Sequence, residues 1–118
     1  MFYKLVEDFA KIIVGYKVVE YRRYGSATSL VAKIEFKDGS SLSVKDYLFL
    51  NGKRKYSYHW QDSQGNLISR WDDSPHHKKV STFPHHRHLP DEIVASKERT
   101  IKDVLKIIRS TGSEEPKT

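Results

Sequence analysis

The chain has 118 residues, of which 37% are hydrophobic and 31% charged, a composition typical of a globular domain without a membrane-spanning segment. Basic residues outnumber acidic ones by 21 to 15, and the resulting net charge of +6 favours a polyanionic partner. Because there is no cysteine, disulfides and thiolate metal sites are excluded, and without a secretory signal in residues 1–14 a cytoplasmic location is expected.

The N-terminal segment has apolar residues at helical spacing, and these are Phe2, Leu5, Val6, Phe9, Ile12 and Ile13. This spacing predicts an amphipathic helix that ends at Gly15. From Tyr16 to Tyr24 the residues are rich in β-branched and aromatic types, which predicts a strand, and Gly25 begins a turn.

Alternating apolar and polar residues over 28–37 predict a half-buried strand that leads into an Asp-Gly turn. A two-residue loop would set Ile34 opposite Ser43 and mix the two faces. A three-residue loop sets Ile34 opposite Leu42, so we predict that loop, with Gly39 in the left-handed conformation. The next strand covers residues 40–50.

A second hairpin is predicted after the Asn51-Gly52 turn, with strands at 54–62 and 67–73. If a four-residue loop is closed by Asp62 and Leu67, the expected cross-strand pairs are Tyr58 with Trp71, His59 with Arg70, and Ser57 with Asp72. One face of this hairpin is then aromatic, and the other is polar and ionisable.

Prolines at 75, 84 and 90 predict an irregular segment after the hairpin. A C-terminal helix is indicated by apolar residues from Ile101 to Ile108, with Ser96 or Thr100 as N-cap and Gly112 as its end. The sequence therefore predicts a single α+β domain over 1–112, with a meandering antiparallel sheet of about five strands between two terminal helices. A disordered tail is expected at 113–118.

All six histidines lie between residues 59 and 88, which marks this segment as the candidate site. One interpretation is a divalent metal ion bound by Asp72, His76, His86 and His88. Adjacent histidines on an extended backbone point to opposite sides, so at most one of each pair would face a common ion. No cofactor is otherwise predicted.

A second interpretation, which we prefer to the metal-dependent one, is metal-independent cleavage of RNA. Imidazoles that titrate near neutral pH and a guanidinium suit the acid, base and phosphate-binding roles of this reaction. The candidates are His59, His85 and His86 for proton transfer and Arg70 for the phosphate. This site requires that His59 and at least one of His85, His86 and His88 lie close together around Arg70.

A third interpretation is a non-catalytic module that binds nucleic acid or protein and uses its histidines structurally. Basic residues flank aromatic ones in the same segment, a combination that grips phosphates while bases stack. The candidate nucleic-acid contacts, whether or not the protein is catalytic, are Lys53, Arg54, Lys78, Lys79 and Arg87.

Several motifs resemble the TumE family of toxins from toxin–antitoxin loci. They are Tyr56-Ser57-Tyr58-His59-Trp60-Gln61, Gly65-Asn66-Leu67-Ile68, Arg70-Trp71-Asp72, Pro75-His76-His77, Phe83-Pro84-His85-His86 with His88, and Asp103-Val104-Leu105. The resemblance implies a toxin neutralised by a helix-turn-helix antitoxin from the adjacent gene. The order of elements is also similar in outline to RelE-like ribosome-dependent ribonuclease toxins, which favours RNA, free or on the ribosome, as the target. A homodimer is compatible with the sequence.

Overall fold

Seven strands pair in chain order to form one antiparallel sheet in the computed structural model, which describes residues 2–112. The elements are α1 (Phe2–Asp8), β1 (Ile13–Tyr24), β2 (Ala27–Phe36), β3 (Ser41–Leu48), β4 (Arg54–Gln61), β5 (Leu67–Asp72), β6 (His86–His88), β7 (Ile93–Ala95) and α2 (Ile101–Gly112). Neither helix of this described part is long and apolar enough to cross a membrane. The tail expected at 113–118 lies outside the described residues.

Both helices contribute to a core on one face of the sheet. The buried apolar side chains of the strands are Ile13, Ala32, Ile34, Phe36, Leu42, Val44, Tyr56, Tyr58, Trp60 and Trp71, and they cluster with Phe2 and Phe9 and with the apolar face of α2. Side chains that alternate with these along the strands lie on the opposite surface. We call that surface the open face, and its central residues are Lys17, Lys33, Ser43, His59 and Arg70.

The helix α2 begins at a reciprocal cap, as its sequence predicts. The backbone N–H of Asp103 donates to Thr100 Oγ1 at 3.2 Å, and the backbone N–H of Thr100 donates to the Asp103 carboxylate at 2.9 Å. Thr100 is therefore the N-cap. Ser96, the other candidate, is buried before the helix and donates to the Lys97 carbonyl oxygen.

The register predicted for both hairpins is confirmed. Ile34 lies opposite Leu42, and Gly39 has a φ of 90° in a three-residue loop. In the second hairpin the three predicted pairs form, including His59 with Arg70. The loop of this second hairpin is one residue shorter than predicted. Asp62 N–H donates to the Asn66 carbonyl oxygen at 2.9 Å, so the loop has three residues and not four. A register shift after Trp60 takes up the extra residue.

Two predicted elements were wrong in extent. The first helix ends at Asp8, and Ile13 already belongs to β1, where it pairs with Phe36. The helical spacing misleads here because β-branched residues at 12–14 favour an extended chain, while Ile13 is buried in either conformation. The sheet has seven strands and not about five, because β6 and β7 form within the segment that was expected to be irregular.

Substitution of Gly39 by Ala tests the conformation of the first hairpin loop. The φ of 90° is strained for alanine, and the added Cβ would lie 3.2 Å from Ser63 Cβ. We expect the free energy of unfolding in urea to fall by about 1–2 kcal/mol. Gly15→Ala is the control, since its φ is not left-handed and its Cβ would meet no atom within 4 Å. Equal losses from both variants would contradict the assigned loop.

Candidate functional site

The carboxylate of Asp72, at the end of β5, is the centre of the site. Its side chain is only 4% exposed, yet it accepts a hydrogen bond from Arg70 Nε at 2.9 Å and from the Ser74 backbone N–H at 3.0 Å. Burial by itself would raise the pKa of Asp72, but these two hydrogen bonds and the charges of His86 and Arg70 together lower the pKa below its usual value. Asp72 is therefore ionised at neutral pH.

Two histidines of β6 lie against this carboxylate, because β6 pairs in register with β5 and its alternate residues face the same way. His86 Nε2 is 2.8 Å from Asp72 Oδ1, and His88 Nε2 is 3.5 Å from Oδ2. The two Nε2 atoms are 3.0 Å apart. His86 Nδ1 donates to the Pro84 carbonyl oxygen at 2.9 Å, so both ring nitrogens of His86 have a polar partner. The side chain of His86 is 1% exposed.

His77 arrives from the loop between β5 and β6 and packs edge-on against both rings. Its centroid is 4.8 Å from that of His86 and 5.4 Å from that of His88. Burial lowers the pKa of His88, the nearby charge of Asp72 opposes this shift, and the charges of the neighbouring histidines and of Arg70 reinforce it. The neighbouring His76, which was one of the predicted metal ligands, is exposed and lies outside this group. His77 takes its place beside His86 and His88.

On the open face, Arg70 joins this cluster to His59. Arg70 Nη1 is 3.4 Å from His59 Nδ1, and 39% of the arginine side chain is exposed. Since a guanidinium only donates, Nδ1 of His59 carries the lone pair. Burial and then the charge of Arg70 lower the pKa of His59 below 6.5, although a hydrogen bond with Gln61 opposes the shift. His59 is therefore neutral at pH 7.

The structure brings together only some of the proposed proton-transfer residues. His59, His86 and His88 surround Arg70 and Asp72 as expected. His85 lies apart on the helix side of the sheet, where its Nδ1 is 2.9 Å from the Tyr56 hydroxyl and its ring stacks on that tyrosine. His86 is near Arg70 but too deeply buried to touch a substrate.

Two of the expected nucleic-acid contacts are used within the fold. Arg54 is 21% exposed and forms ion pairs with Asp46 at 3.0 Å and Glu98 at 2.7 Å. Arg87 Nε donates to Ser69 Oγ at 2.6 Å, and its guanidinium lies 4.8 Å from the centroid of the buried Trp71 ring. Both face the helix side, so they differ from the expectation, whereas Lys53, Lys78 and Lys79 are exposed.

A cationic row on the open face was missed by sequence reasoning. Cross-strand pairs connect Lys17, Lys33, Ser43, His59 and Arg70 in one line across β1 to β5. Two of these pairs were predicted. Lys33 with Ser43 follows from the parity of the first hairpin, and His59 with Arg70 follows from the loop assumed for the second. The other two pairs depend on a β-bulge in β1 and on the turn between β3 and β4, for which no register was derived.

Comparisons with known proteins give one finding. A protein-family model described as Toxin TumE matches residues 2–111. Searches of curated proteins and of solved structures found no match, so the outline similarity to RelE-like toxins stays a prediction. Because the family match covers nearly the whole chain, including the hairpin and the histidine cluster, the chain belongs to the TumE toxin family.

Proposed function

We propose that this toxin cleaves RNA, with His59 and Arg70 as the catalytic residues on the open face. The observation that carries the proposal is the contact between them, a neutral imidazole 3.4 Å from a partly exposed guanidinium. An imidazole with a free lone pair accepts a proton, and a guanidinium binds phosphate oxygens through several N–H groups. The net charge of +6 also suits a polyanionic substrate.

In the proposed reaction, Arg70 Nη1 turns from His59 Nδ1 to a phosphoryl oxygen, and His59 Nδ1 then takes the proton of a ribose 2′-hydroxyl. The 2′-oxygen then attacks the adjacent phosphorus, and the bond from phosphorus to the 5′-oxygen breaks. A 2′,3′-cyclic phosphate forms, and the leaving 5′-oxygen takes a proton from water. Arg70 stabilises the charge on the phosphoryl oxygens. Asp72 positions Arg70 by accepting its Nε–H and leaves the terminal nitrogens to the phosphate.

The cationic row provides the proposed path for the RNA strand. Lys17 and Lys33 are exposed and lie in line with His59, on strands spaced about 4.8 Å apart. Beside this line is a depression of about 310 Å³ whose lining includes Lys33, Ser41 and Gln61. Gln61 lies two residues from His59 on the same face of β4, so a nucleotide next to the cleaved bond has room there.

The toxin family implies a neutralising partner, and we propose a helix-turn-helix antitoxin encoded by the adjacent gene. We also propose that the toxin acts in the cytoplasm, on RNA that is free or bound to the ribosome. Co-expression of the neighbouring reading frame tests the pairing: restored growth supports it, and unchanged growth inhibition contradicts it.

Changing His59 to Gln should abolish growth inhibition and reduce RNA cleavage by roughly 100-fold or more, since the proton acceptor is lost. The melting temperature should stay nearly unchanged, because the side chain is only partly buried. His76→Gln is the matched control, an exposed histidine outside the proposed site, and should behave like wild type.

Free RNA and ribosome-bound RNA should both be tested as substrates for these variants. Wild-type protein that binds RNA but cleaves neither substrate would instead identify a non-catalytic binding module.

The pKa of His59 should lie below 6.5 and should rise when Arg70 is changed to Gln. Loss of the adjacent positive charge lets the imidazole keep its proton to higher pH. An NMR titration of the ring protons measures both values without RNA. In wild type the cleavage rate should rise with pH through the His59 pKa and then level off. A His59 pKa that is unchanged in Arg70→Gln would contradict this coupling.

The double change Lys17→Glu and Lys33→Glu should weaken binding of single-stranded RNA. A plot of the logarithm of affinity against the logarithm of salt concentration should also have a shallower slope than for wild type. The control is Lys102→Glu with Lys106→Glu, which makes the same charge change on exposed positions of α2, across the sheet. Binding should be measured with the inactive His59→Gln protein. Equal losses from the two double variants would show that only net charge matters.

A further inference from the structure

We infer that Asp72, His77, His86 and His88 form a binding site for one divalent transition-metal ion of the zinc class. One ring nitrogen from each histidine lies within 4.8 Å of the other two, and the Asp72 carboxylate contacts two of these rings. Donor atoms around a tetrahedral zinc ion lie roughly 3.3 Å apart, so the cluster is close to the required geometry.

The contacts of His86 favour a positive charge beside its Nε2 atom. Its Nδ1 must carry a hydrogen because it contacts the Pro84 carbonyl oxygen at 2.9 Å. In a neutral ring, Nε2 would then direct its lone pair at Asp72 Oδ1, only 2.8 Å away. Either a second proton or a metal ion removes this repulsion. A second proton on His86 Nε2 is shared between Asp72 and His88 Nε2, which is 3.0 Å away, whereas a metal ion also uses the ring nitrogen of His77.

The ligands are held in place before any ion binds. Asp72 is fixed by Arg70 Nε and the Ser74 backbone N–H, and His86 is fixed by the Pro84 carbonyl oxygen. Metal-binding histidines typically donate their second N–H to a backbone carbonyl in this way. Three imidazoles and one carboxylate suit zinc, cobalt or nickel, whereas magnesium and calcium prefer oxygen ligands throughout.

The proposed ion would clamp the loop between β5 and β6 onto the sheet. Asp72 is the last residue of β5, His77 lies within the loop, and His86 and His88 are the ends of β6. One ion therefore connects both ends of the loop with its middle. The site does not include His59, but it shares Asp72 with the proposed catalytic site, where this carboxylate positions Arg70.

The test uses tag-free protein that has been treated with chelator and then titrated with Zn²⁺ in a calorimeter and with Co²⁺ in a visible spectrometer. Wild type and His76→Ala should each bind about one equivalent, gain thermal stability with Zn²⁺ and give the spectrum of tetrahedral Co²⁺. His77→Ala should bind at least roughly tenfold more weakly. Mg²⁺ should have no effect.

His76 and His77 are adjacent, so this pair separates a built site from adventitious binding by exposed histidines. Equal affinities of His76→Ala and His77→Ala, or no stoichiometric binding by wild type, would overturn the proposal and leave a protonated His86. His88→Ala is a second variant, checked by circular dichroism, and should also lose affinity. His59→Gln should bind Zn²⁺ like wild type whether or not the protein cleaves RNA.

Discussion

Burial of the Asp72 carboxylate is the constraint on which the polar side of the molecule depends. A buried carboxylate without partners costs several kcal/mol, and the strands around Asp72 remove that cost together. Arg70 approaches it along the same strand, His86 and His88 from β6, and the Ser74 backbone from the following turn. Removing any one partner leaves charge or lone pairs that the others cannot satisfy, so these groups act as a unit.

The alternation of side chains along each strand places Arg54 and the lysines of the cationic row on opposite faces of the sheet. On the helix side, Arg54 is held by Asp46 and Glu98, and the Tyr58 hydroxyl donates to the Asp46 carboxylate at 2.7 Å. Burial and the charge of Asp46 raise the pKa of Tyr58, so this hydroxyl stays a donor. On the open face the lysines are exposed and free to meet an anion. The same residue types therefore form ion pairs within the fold on one face and are exposed on the other.

Parity arguments predicted the hairpins because a shift of one residue would have put apolar side chains in water. The pair of Ile34 with Leu42 follows from that rule. The pair of His59 with Arg70 was predicted from an assumed four-residue loop, and it forms because a register shift after Trp60 compensates for the shorter loop. The three-residue strands β6 and β7 carry too little alternation to be recognised, and the pairing of β6 with β5 on one side and with β7 on the other buries His86. Which of His76 and His77 faces inward depends on loop geometry that has no sequence period.

Every strand of the sheet pairs with its neighbours along the chain, so each pairing joins strands that are consecutive in sequence. The same connectivity keeps the candidate site within one continuous stretch, from His59 to His88. Within it, β4 and β5 set the position of His59 and Arg70 without help from the loop that follows. That loop can therefore change in length or sequence during evolution while the register of the hairpin stays intact, provided that its inward imidazole is kept.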